Sequence, residues 1–115
     1  EASKEATEWS RLTMEAEVLW SLGRRAESDA ALNRLIAADA EVAAFQIAQV
    51  HAHRGDNDHA FEWLERAYRQ RDSGLAWLKS DRIFGKLASD GRWNEFLRKL
   101  GLADEQLRSL PPFGA

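Results

Sequence analysis

The stretch from Ala44 to Arg71, AFQIAQVHAHRGDNDHAFEWLERAYRQR, constrains the fold more than any other part of the chain. Ala44, Ile47, Ala48 and His51 follow helical spacing in its first half, and Ala60, Phe61, Leu64, Ala67 and Tyr68 do so in its second, so each half predicts a helix with an apolar stripe. Arg54-Gly55-Asp56-Asn57 predicts the turn between them. Gly55 stands where the first helix must stop, a left-handed position that a residue without Cβ occupies at least cost, and Asp56 can cap the helix that follows. The result is a helical hairpin. It cannot bury both faces of its first helix alone, so it needs neighbours stacked on either side.

The upstream residues supply one such neighbour. Ala2, Ala6, Trp9, Leu12, Ala16 and Leu19 lie three or four apart and predict a helix to about residue 22, stopped by Gly23. Met14, Val18 and Trp20 add a second apolar sector, the pattern of a helix touched on two sides. Arg24-Arg25 leads into a second helix to about residue 38, with Ser28, Ala31, Leu32, Leu35 and Ile36 as its buried stripe. Residues 2–38 therefore form hairpin one and 41–72 hairpin two.

Offset by 32 residues, the two hairpins match Leu12 to Ala44, Ala16 to Ala48, Gly23 to Gly55, Ser28 to Ala60 and Leu32 to Leu64. Small residues sit where paired helices approach closely, glycines end the first helices, and leucines fill the space between hairpins. In this order of residues the chain resembles the tetratricopeptide repeat, over about residues 9–72. The family's period is about 34; the shorter offset predicts a tight link after Ile36. Leu19 and His51 replace the usual aromatic late in the first helix, and Ala40 and Asp72 replace the usual closing proline.

After Asp72-Ser73-Gly74 the pattern changes. Residues 74–79 read as a short helix, Asp81 can cap another through Ile83, Phe84 and Leu87, and Asp90 opens a third carrying Trp93, Phe96, Leu97 and Leu100. Gly101-Leu102 has the form of a Schellman ending. Residues 74–102 are therefore expected to cap hairpin two, with Trp77, Phe84, Trp93 and Phe96 pointing inward. In the tail, 103–115, one more helical turn precedes Pro111-Pro112, which ends regular structure. The expected fold is all-α, a short tetratricopeptide-like α-solenoid of two hairpins and a short-helix cap.

Composition removes several functions. Sixteen basic and 19 acidic residues are interspersed, for a net charge of −3, so no positive field gathers nucleic acid or anionic lipid. No apolar run approaches the roughly 18 residues that span a bilayer. The chain has no cysteine, which excludes disulfides and thiolate metal sites and leans towards the cytoplasm. Its opening residues, Glu-Ala-Ser-Lys-Glu, are neither a signal peptide nor an initiator-methionine start, and predict a piece of a larger protein.

Chemical motifs are sparse. His51 and His53 are two apart and point to different faces of one helix, and His59 lies across the turn, so no metal site is expected; aiming two imidazoles from one helix at one ion takes i, i+4 spacing. No G-x-S-x-G nucleophile motif occurs, and Gly85-Lys86 lacks the earlier glycine of a phosphate loop. Asp56 and Asp58 lack the later Gly and Glu of a calcium loop. Neither catalysis nor a cofactor is expected.

What remains is recognition. The tetratricopeptide resemblance implies a concave groove that takes a peptide or helical segment, lined by Thr13, Glu17 and Trp20 from hairpin one and Phe45, Gln49 and His53 from hairpin two. The lysine and asparagine clamp of chaperone-binding members is missing, and Trp20 and Phe45 imply an apolar or helical partner rather than an acidic chain end. The same positions could instead be solvated or covered by the chain's own ends. The cap sequence also resembles C-terminal repeat tails of bacterial regulatory and signalling proteins. That implies an alternative: a regulatory or self-association tail of a larger signalling enzyme or transcription regulator, packed on another domain or a second copy.

Overall fold

Three glycines reverse the chain by one mechanism. Gly23, Gly55 and Gly101 have φ of 79°, 77° and 79°. In each case the next residue's N–H reaches back to close the helix: Arg24 to the Leu19 carbonyl (2.9 Å), Asp56 to His51 (2.9 Å) and Leu102 to Leu97 (2.8 Å). These are Schellman closures; the sequence predicts a helix stop at each of the three glycines and the Schellman form at Gly101. Arg71, at φ 56°, makes the same closure after the fourth helix, Asp72 N–H bonding the Ala67 carbonyl at 3.0 Å. A side chain there carries the steric cost that glycine avoids.

The computed structural model describes residues 2–108, with side chains from residue 8. Its regular elements are α1 (Ala2–Ser21), α2 (Arg25–Asp39), α3 (Ala44–His53), α4 (Asn57–Arg69), two 3-10 helices (Ser73–Ser80 and Arg82–Ser89), α5 (Gly91–Leu100) and α6 (Asp104–Arg108). No strand occurs among the described residues. The side chains of Ala2 and Ala6, and Pro111-Pro112, lie outside this description.

α1 packs on α2 and α3 on α4, and the two pairs join through α3, which touches α1 and α2. The small residues expected at close approaches, Ala16, Ser28, Ala48 and Ala60, are wholly buried. Ser28 satisfies its hydroxyl by donating to the Ala16 carbonyl at 2.6 Å and accepting from Arg54 Nη2 at 2.8 Å. Leu35, Ile47, Val50 and Leu64 fill the space between the helices. Their burial supplies the main driving force, about 1.5–3 kcal/mol for each large aliphatic side chain.

The cap repeats a nine-residue unit. Asp72, Asp81 and Asp90 each accept a hydrogen bond from the backbone two residues on, at Gly74 (2.8 Å), Ile83 (3.1 Å) and Arg92 (3.0 Å). Three and six residues after each aspartate stand buried apolar side chains: Leu75 and Leu78, Phe84 and Leu87, Trp93 and Phe96. In the two 3-10 helices residues three apart eclipse, and in α5 residues three apart are neighbours on one face, so each pair meets the core. The second 3-10 helix packs on α3 and on α5.

Three sequence expectations need correction. Trp77 points outward and is 71% exposed, because position 77 falls between the buried Leu75 and Leu78 in a three-residue turn. Tyr68 is 40% exposed, its ring meeting Phe96 edge-on at 6.4 Å rather than entering the core. Met14 and Val18, two of the three residues of the second apolar sector of α1, are 63% and 50% exposed and face solvent, as does Leu22 just beyond the helix, while Trp20 is half-buried.

Candidate functional site

The six residues expected to line a groove do not form one surface. Phe45 is 4% exposed and belongs to the core: its ring lies 5.4 Å from that of Phe84 in the cap, and a Cβ at Gly74 would stand 2.7 Å from its Cδ2. The cap covers it because Asp72, which starts the first 3-10 helix, also lies 3.4 Å from the Phe45 backbone N–H. Thr13 is also buried, its hydroxyl donating to the Trp9 carbonyl one turn back at 2.7 Å. Gln49 is half-buried and donates from Nε2 to Asp81 Oδ2 at 2.7 Å. The chain's own C-terminal part thus occupies the hairpin-two side of the expected groove.

Trp20 and His53 lie at the other end of α1 and α3. The Trp20 ring meets two guanidinium groups, Arg25 at 4.4 Å and Arg54 at 4.5 Å from its centroid. Arg54 is nearly buried and also pairs with Asp29 at 2.9 Å, fastening the end of α3 to hairpin one. His53 Nε2 lies 2.7 Å from the Ser21 hydroxyl, a second link between the hairpins. These contacts build the stack itself.

Glu17 differs. It lines a cleft of about 240 Å³ between α1 and α3, together with Ser10, Thr13, Met14, Gln46 and Gln49. Glu17 Oε2 and Gln46 Oε1 are buried without a hydrogen-bond partner among the described residues. Burial, and secondarily the negative charge of Asp81, push the Glu17 carboxyl up to about 7. Two unmatched acceptors and a carboxylate charge short of compensation call for a donor, best a cationic one. A larger cleft, about 380 Å³, runs between α4 and α5, but its cations are paired, Arg92 with Asp58 at 2.9 Å and Lys99 with Glu65 at 2.7 Å.

A second cluster lies at the turn of hairpin two. His51 and His59 stack with ring centroids 5.1 Å apart, and Asp56 Oδ2 is 2.7 Å from His59 Nδ1 and 3.6 Å from His51 Nδ1. Spacing along one helix separates these residues. The left-handed step at Gly55 folds the start of α4 back beside the end of α3 and brings them together.

No helix among the described residues is long and apolar enough to cross a membrane. Compared with known proteins, the chain matches no family model, no curated protein and no solved structure at a significant level.

Proposed function

We propose that this chain is a non-catalytic, tetratricopeptide-like interaction module whose cleft between α1 and α3 receives a segment of another protein through a lysine or arginine side chain. The observation that carries the reading is the pair of unpartnered buried acceptors, Glu17 Oε2 and Gln46 Oε1, lining one cleft. A guanidinium or ammonium would satisfy both and remove the cost of an isolated carboxylate. The matching glycine turns and the buried small residues of the two hairpins support the family reading. Covered Phe45 shifts the expected partner from an apolar to a basic segment.

The test is selection of a displayed random-peptide library on the full chain, followed by calorimetric titration of the enriched peptides. Enrichment of one basic position, with binding weakened about tenfold by Glu17→Gln and by added salt, supports the reading. Peptides without a basic residue, or equal affinity for the Glu17→Gln chain, refute it.

One observation favours the alternative of a regulatory or self-association tail. Met14, Val18 and Leu22, four residues apart, form an exposed apolar stripe along α1 and the turn that follows it. Such a stripe suits contact with another domain of a longer polypeptide or with a second copy. Sedimentation over a range of concentrations tests the second copy: self-association abolished by Val18→Glu supports it, and a monomer at all concentrations excludes it.

A further inference from the structure

We infer that His51, Asp56 and His59 form a binding site for one divalent transition-metal ion of the zinc class. Their donor atoms all lie within 4.8 Å of one another. Tetrahedral zinc, with bonds of about 2.0–2.2 Å to nitrogen and oxygen, places its donors about 3.3–3.5 Å apart. The 3.6 Å between His51 Nδ1 and Asp56 Oδ2 already fits, while the 2.7 Å from His59 Nδ1 to the same oxygen must open slightly. The His59 side chain is 56% exposed and sits in the first turn of α4, so it moves at low cost.

Each donor atom is either without a partner or held only by a bond within the cluster. His51 is 8% exposed, and its Nδ1 is buried with no hydrogen-bond partner among the described residues, an arrangement that costs free energy unless something fills it. Asp56 divides its carboxylate: Oδ1 caps α4 by accepting the His59 backbone N–H at 3.3 Å, while Oδ2 faces both imidazoles and accepts from His59 Nδ1 at 2.7 Å, a hydrogen bond that a metal ion would replace. Two nitrogens and one carboxylate oxygen suit zinc, cobalt, nickel or copper better than magnesium or calcium. Three protein ligands leave a coordination position for water or a further donor.

The probe is zinc sulfate titrated into the full chain near neutral pH in a non-chelating buffer, by calorimetry and by thermal melting, with magnesium as the control. One equivalent of zinc is expected to bind and raise the melting temperature, and cobalt(II) is expected to give the intense visible absorption of a four- or five-coordinate site. Asp56→Asn retains a capping residue, and His59→Ala alters an exposed side chain; each should weaken zinc at least about tenfold while remaining folded by circular dichroism. His53→Ala should bind as the parent does. No stoichiometric binding, or equal affinity in the parent, Asp56→Asn and His59→Ala, overturns the inference.

Discussion

Asp81 holds Gln49 at 2.7 Å through Oδ2 while its Oδ1 accepts the Ile83 backbone N–H at 3.1 Å. A single carboxylate therefore starts the second 3-10 helix and fixes it against α3. Asp81→Ala should cost about 1–3 kcal/mol, combining a lost cap with a lost charge-assisted hydrogen bond. Asp81→Asn should cost less, because the amide oxygen still caps. Urea midpoints of the two variants check the order, and equal midpoints for Asp81→Ala and the parent refute the docking role.

Phe45 is the aromatic that the cap covers. Phe45→Ala should destabilise by about 3–5 kcal/mol through loss of buried area and the cavity left behind. Gly74→Ala should cost about 1–3 kcal/mol, since the new methyl meets the Phe45 ring. Denaturant unfolding measures both. A fully stable Phe45→Ala chain would return this residue to the solvent-facing groove.

Arg71 adopts the left-handed conformation that glycine takes at the three equivalent helix ends. Arg71→Gly removes the Cβ clash and should stabilise by up to about 1 kcal/mol, the glycine's greater unfolded-state freedom offsetting part of the gain. Gly55→Ala should have the opposite sign. Thermal melts of the pair, compared with the parent, decide this.

Glu17 makes stability depend on pH. Its carboxyl ionises at about 7 in the folded chain against an ordinary value of 4.5, chiefly because it is buried. Between those values the folded state keeps a proton that the unfolded state has released, so this residue's contribution to stability falls as pH rises through the window and then levels off. Glu17→Gln should therefore gain on the parent from pH 4.5 to 7 and hold its advantage above. Melting temperatures of both chains across this range provide the check; a constant difference would show that Glu17 is not desolvated.

Much of the local structure was legible because it rests on neighbours in sequence. Apolar residues three and four apart marked α1 to α4 and α5, and the glycines marked helix ends because a left-handed φ is a local demand. The offset of 32 residues between Gly23 and Gly55 identified the two hairpins and the small residues between their helices. The three-residue period after Asp72 and Asp81 was also present in the sequence. That period puts Leu75 and Leu78 on the buried face and leaves Trp77, expected inward for its apolar bulk, on the other side.

The candidate sites were less legible, because they join residues that no local pattern relates. Nothing near Phe45 in the sequence says that Gly74 and Phe84 will cover it, nor that Asp81 will take the Gln49 amide; those contacts depend on where the cap lands across hairpin two. The unmatched Glu17 and Gln46 oxygens likewise arise where α1 passes α3. His51 and His59 looked separate when judged by the spacing of one helix, and meet only because Gly55 reverses the chain. The sequence by itself determined the helices, their stops and the two hairpins, since short-range sterics and periodic burial act within a few residues. Only the tertiary structure decided which side chains were covered, which polar atoms lacked partners and which histidines came together, because packing sums contacts between segments tens of residues apart.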